Sequence, residues 1–112
     1  MIAQVRPSEL HQWLERHAAR QAYILDVREP RELQLASVVA DGFDVTTIPM
    51  SALAGRLDEL DPLRPVACLC HHGARSMQVA MFLQDRGYVE VANIAGGIDA
   101  WSLELDAAVP RY

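Results

Sequence analysis

At 112 residues the chain has the size of one domain, and its 51% hydrophobic content is ample for a single core. A net charge of −5 and a pI near 5.2 argue against a broad nucleic-acid surface. All 10 residues counted as Lys+Arg are arginine, which removes lysine Schiff-base chemistry.

No charged-then-apolar leader opens the chain, and no apolar run approaches the ~20 residues of a membrane span. A cytoplasmic protein without nucleic-acid or membrane partners is therefore expected. Cys68 and Cys70 are too few and too close for a disulfide framework and read as thiols of a reducing compartment.

Pro7 and Ser8 mark the start of a first helix, with Ser8 as its cap and Leu10, Trp13, Leu14 and Ala18 at helical spacing. Ala22-Tyr23-Ile24-Leu25 is a continuous apolar run ending at Asp26, the pattern of a strand buried on both faces. Asp26 to Glu29 leads out of it, and Pro30 opens a short helix through Glu32, Leu33, Leu35 and Ala36. Between Ser37 and Pro49 the pattern is faint. Asp41-Gly42 reads as a turn and Val45 to Ile48 as a short strand.

Ser51 is expected to cap a helix bearing Leu53, Leu57 and Leu60, closed by Asp61-Pro62 and Arg64-Pro65. Val66 to Cys70 is a second buried strand. Ser76, Val79, Ala80 and Leu83 lie on one face of the following helix, which Gly87 stops. Val89 to Ile94 reads as a further strand, Gly96-Gly97 as a sharp turn, and Ile98, Trp101 and Leu105 as a last short helix. The whole of 1–112 reads as one domain, with 106–112 a peripheral tail. Strands alternating with helices predict an α/β fold with a mostly parallel sheet, whose ligands gather outside the carboxyl ends of the strands. Asp26 and Cys70 both fall at such ends.

Cys70-His71-His72-Gly73-Ala74-Arg75-Ser76 sits between a buried strand and a helix start. Unpaired N–H groups and the helix dipole at that position favour a thiolate and form a cradle for an anion. Gly73 permits the backbone curl, Arg75 supplies a cation with a planar donor fork, and Ser76 can fix the loop at the helix start. An anionic sulfur nucleophile acting on an anionic substrate is the chemistry this spacing favours.

This loop resembles the active-site loop of single-domain rhodaneses. Leu25-Asp26-Val27-Arg28-Glu29-Pro30 is similar to that family's strand exit, and Asn93 to Trp101 to its Asn-Leu-x-Gly-Gly-Ile-x-Ala-Trp segment. The three motifs occur in the family's order, from about Ser8 to Trp101. One departure is Ala36 to Phe43, where the family often carries Gly-His-Ile-x-Gly-Ala. The resemblance implies a three-layer α/β/α fold around a mostly parallel five-stranded sheet. It also implies sulfur transfer, as a thiosulfate sulfurtransferase, in two displacements. Cys70 takes a sulfane sulfur from thiosulfate or another persulfide donor, then passes it to cyanide, a thiol or a protein acceptor. Arg75, His71, His72, Gly73, Ala74 and Ser76 would bind substrate, and no metal or organic cofactor is implied.

Each residue also has a plainer reading. Cys68, inside the strand, is a core residue first and a resolving thiol second. Asp26 and Arg28 read as an ion pair bracing the site, weak if it lies at the surface. His71 and His72 fit rim residues better than metal ligands, because adjacent residues rarely aim at one ion. Gly96 and Gly97 make a backbone turn, and Trp13 and Trp101 pack in the core or at its edge. Two other functions stay open: a non-catalytic binding module or persulfide carrier on this fold, and a cysteine-dependent phosphatase or arsenate reductase. The last usually holds five residues between Cys and Arg, a wider cradle than this one.

Overall fold

Four-residue apolar runs become the central strands of this chain. The computed structural model describes residues 2–40 and 42–112. Nine elements make the frame: β1 (Ala3–Val5), α1 (Leu10–Arg16), β2 (Tyr23–Asp26), α2 (Pro30–Leu35), β3 (Asp44–Thr47), β4 (Val66–Leu69), α3 (Ala74–Asp85), β5 (Val91–Ile94) and α4 (Gly97–Glu104). The five strands form one sheet in the order β1-β5-β4-β2-β3, and every neighbouring pair is parallel.

β2, β4 and β5 are buried along their whole length, as strands covered on both faces must be. Alternate residues serve opposite cores. Tyr23, Leu25, Val66 and Cys68 pack with Leu53, Leu60, Val79 and Leu83 on one face. Ile24, Ala67, Leu69, Ala92 and Ile94 pack with Leu10, Trp13, Ile98 and Trp101 on the other. The result is the α/β/α sandwich expected, with both tryptophans in its core.

Several local expectations are corrected. Ser8 does not cap α1: it lies in a 3₁₀ turn, Pro7–Glu9, that feeds the helix. Glu9 is the residue before α1 and makes no side-chain cap bond to it; its carboxylate accepts the Arg6 N–H across the 3₁₀ turn. Ser51 likewise caps no α-helix. Met50–Gly55 and Leu57–Glu59 are short 3₁₀ pieces, and the Ser51 hydroxyl donates to the Glu29 carboxylate instead. Gly55, a poor helix former, ends the first piece. The last strand begins at Val91, two residues later than expected, because the Val89 N–H bonds Pro62 O outside the sheet. The turn at Gly42 has φ +77, and its partner Asp41 lies outside the described residues.

The parallel register sets the site. Leu25 stands opposite Cys68 and Asp26 opposite Leu69, so β2 and β4 end level with one another. Val27 N–H then bonds Leu69 O at 2.9 Å, clamping the two strand exits together. Among the described residues, no helix is long and apolar enough to cross a membrane.

Candidate active site

Cys70 is the first residue past β4, and its side chain is almost wholly buried. The chain curls immediately, and Gly73, at φ +106, caps α3. A Cβ there would stand 3.2 Å from Gly96 N, so the glycine answers both to conformation and to space. The curl brings Gly73 N–H to 3.1 Å from Cys70 Sγ. Ser76 enters α3 two residues after the helix starts, and its hydroxyl lies 3.2 Å from the same sulfur.

Ser76 Oγ also stands 2.5 Å from Asn93 Oδ1. A hydroxyl has one hydrogen, so it serves one acceptor at a time. With a neutral thiol, Ser76 donates to Asn93 and can accept from the S–H. With a charged sulfur, the hydrogen turns to Sγ. Asn93 is fixed in orientation, because its amide nitrogen donates to Gly73 O at 3.2 Å and Gln4 Oε1 at 3.0 Å.

The outer side of the loop is tied to α4. Ile98 N–H donates to Cys70 O at 2.9 Å and Asp99 N–H to His71 O at 3.1 Å. Otherwise orphaned donors in the first turn of α4 thus hold the carbonyls of Cys70 and His71. Gly96 and Gly97, with φ +80 and +61, make that approach possible.

Arg75, expected to bind an anion beside the loop mouth or else to pair with a carboxylate, has a carboxylate partner. Its two Nη atoms donate to Glu32 Oε2 and Oε1, each at 2.7 Å, in a bidentate pair. Glu32 also accepts from Tyr112 OH at 3.0 Å and Glu29 N–H at 2.9 Å. The guanidinium holds the Glu32 carboxyl down, at a pKa of about 2.

Asp26 and Arg28 form no surface pair. Both are buried, with Arg28 Nη2 on Asp26 Oδ2 at 2.8 Å and Nε on Oδ1 at 3.0 Å. Arg28 Nη1 donates to Ala36 O at 2.8 Å and to Tyr112 OH at 3.2 Å. The pair braces the end of α2 and the C-terminal tail as well as the strand exit.

His71 is half-buried and His72 exposed. Their rings stack at 3.9 Å, and Tyr112 stacks on the far side of His71 at 3.8 Å and 11°. His71 Nε2 is buried without a partner. His71, His72 and Asp99 bring their ligand atoms within 4.8 Å of one another. Nearly parallel rings, however, aim their lone pairs alongside each other, and Asp99 already accepts from Arg111 at 2.8 Å. That is a poor cage for a tetrahedral ion. Ala74 is exposed at the start of α3, while Cys68 is fully buried and its thiol pushed up to about 12 by that burial.

The 106–112 tail lies outside the regular elements and is tied down at three points. Val109 is buried, Arg111 pairs with Asp99, and Tyr112 reaches Glu32, Arg28 and His71. Glu32, Asn93 and Tyr112 were not singled out from sequence. For Glu32 a local signal exists: its position three residues after Glu29, before Pro30, is that of a capping box, with the Glu32 carboxylate accepting the Glu29 N–H.

Comparison with known proteins bears on this geometry. A profile of the rhodanese-like domain matches residues 6–104. The chain is 36% identical to a rhodanese-like/PpiC domain-containing chloroplast protein of Arabidopsis thaliana over 99% of its own length, but it spans only 38% of that protein. It is 34% identical to a sulfurtransferase of Allochromatium vinosum, covering 70% of each. A crystal structure of a rhodanese-related protein from Thermoplasma volcanium superposes with a TM-score of 0.75 at 28% identity, over 92% of this chain and 93% of that one. With the profile spanning all nine elements but the first, the chain belongs to the rhodanese-like domain family.

Proposed function

We propose that this protein is a sulfurtransferase that carries sulfane sulfur as a persulfide on Cys70. The observation that carries the reading is the pair of donors at the sulfur: Gly73 N–H at 3.1 Å and the Ser76 hydroxyl at 3.2 Å. Such donors stabilise negative charge on Sγ, and equally on a persulfide bound there. Relatives named as sulfurtransferases, in Allochromatium vinosum and Vibrio cholerae, support the same reading.

In the first displacement the Cys70 thiolate attacks the outer sulfur of thiosulfate or another sulfane donor. A sulfur–sulfur bond forms to Cys70, the donor's own sulfur–sulfur bond breaks, and sulfite or a thiolate leaves with the electron pair. In the second, cyanide, a thiol or a protein thiol attacks the sulfane sulfur, and the Cys70 thiolate is restored. No electrons are exchanged with an outside oxidant or reductant. Two free cysteines fit a reducing compartment such as the cytoplasm.

The test is intact mass spectrometry after incubation with sulfane donors. Wild-type protein gains one sulfur atom, releases it to cyanide as thiocyanate, and Cys70→Ser gains none. A wild-type mass unchanged by every donor overturns the reading.

A further inference from the structure

The guanidiniums gathered around the Cys70 loop are each matched by a carboxylate. Arg75 is paired with Glu32, Arg28 with Asp26, and Arg111 with Asp99. Tyr112 locks two of these pairs together, donating to Glu32 Oε1 at 3.0 Å and accepting from Arg28 Nη1 at 3.2 Å. Both carboxylate oxygens of Glu32 are taken twice over: Oε1 by Arg75 and Tyr112, and Oε2 by Arg75 and the Glu29 N–H. The charge of Arg75 is therefore already offset by a carboxylate whose oxygens are fully bonded. The imidazole next in line, His72, lies 3.9 Å from Asp99, which is already engaged by Arg111.

A dianion such as thiosulfate gains most from a cation with no carboxylate beside it, because its desolvation is costly. A thiol persulfide attacked as neutral R–S–SH brings no charge and is indifferent to whether the cation is masked. From the paired rim we infer that Glu32, held by Tyr112, makes thiol persulfides rather than thiosulfate the preferred sulfur donors of this site. The inference rests on the sulfurtransferase reading. The balanced step is Cys70–S⁻ with R–S–SH giving Cys70–S–SH and R–S⁻. The Cys70–sulfur bond forms, the R–S–SH sulfur–sulfur bond breaks, and the thiolate leaves. Glu32 and Tyr112 are positioning residues here, since they act through Arg75.

The experiment compares kcat/KM for thiosulfate and for N-acetylcysteamine persulfide, whose body is uncharged, in wild type, Glu32→Gln and Tyr112→Phe. Glutamine keeps the shape of Glu32 but leaves the Arg75 charge uncompensated. The persulfide is the better donor for wild type. In Glu32→Gln the thiosulfate-to-persulfide ratio rises about tenfold, the Coulomb effect of one unit charge on a dianion about 6 Å away in a water-like dielectric. Tyr112→Phe keeps the ring stack on His71, loses the hydroxyl, and moves the ratio the same way by less. A second readout needs no sulfur transfer: the rate of Cys70 alkylation by anionic iodoacetate relative to neutral iodoacetamide rises in the same order of variants. A wild type that prefers thiosulfate, or a Glu32→Gln variant with both ratios unchanged, overturns the inference. If wild-type protein accepts no sulfur at all, the sulfurtransferase reading fails, and the alkylation ratios still decide whether Glu32 masks Arg75.

Discussion

Gly97 packs so closely on the Cys70 peptide that a Cβ there would stand 2.5 Å from the Cys70 carbonyl oxygen, and closer still to that of His71. Backbone cannot yield as a flexible side chain can, and φ at Gly97 is +61 besides. Gly97→Ala is expected to cost about 3 kcal/mol or more and to move the Cys70 loop. Thermal unfolding measures the first effect, and loss of sulfur uptake by Cys70 measures the second.

Ser76→Ala removes one of the two donors seen at Cys70 Sγ and leaves Asn93 Oδ1 without the hydroxyl that reaches it at 2.5 Å. The expected loss in kcat/KM is about 100-fold, as for removal of one preorganised donor elsewhere. Stability falls by about 1–3 kcal/mol for the stranded acceptor. Steady-state kinetics and urea unfolding give the two numbers.

Arg28→Ala exposes a different kind of dependence. Asp26 would be left buried and charged with its bidentate partner gone, and Ala36 O would lose its 2.8 Å donor. Breaking a buried pair from one side costs about 3–5 kcal/mol. Chemical unfolding of Arg28→Ala beside the double variant Asp26→Asn/Arg28→Met separates the stranded charge from the lost packing. The double variant is expected to be the more stable of the two.

The acid limb of stability should carry the signature of Glu32. Its carboxyl is held at about 2 in the folded protein, against 4.5 when unperturbed. A depressed folded pKa contributes stability in full above about pH 4.5, and that contribution is lost as pH falls toward about 2. Over that window Glu32→Gln shows a flatter loss of stability than wild type. Parallel curves for the two proteins, by denaturant titration at each pH, would contradict the pairing.

Cys68 is two residues from the nucleophile and lies fully inside the sheet, with its thiol pushed up to about 12 by burial. A buried thiol held in its neutral form is not expected to act as a resolving thiol for Cys70. Cys68→Ala is expected to keep sulfur uptake at Cys70 while losing about 1 kcal/mol of stability. Mass spectrometry and thermal unfolding check each half.

What was legible in the sequence is what is local. Tyr23 to Asp26 and Val66 to Leu69 could be read as strands because burial on both faces makes them continuously apolar. The turn at Gly73, the helix behind it and the nucleophile before it fall within a few residues of one another. β1 left no trace, since three residues with one buried side chain carry no period. The 3₁₀ pieces from Met50 to Glu59 share the leucine spacing of a helix over too few residues to tell them apart. Arg75 meets Glu32 across 43 residues and Tyr112 meets it across 80, so neither pairing has a local signal. Long-range pairs between exposed-looking polar residues have no periodic signature to betray them.

The paired rim also governs how molecules arrive. An unpaired guanidinium would pull anions in from a distance, and that pull would fade as salt shortened the Debye length. With Arg28, Arg75 and Arg111 each matched by a carboxylate, none of the three exerts that pull unopposed. On a chain of net charge −5, alkylation of Cys70 by an anionic reagent is then expected not to slow as ionic strength rises.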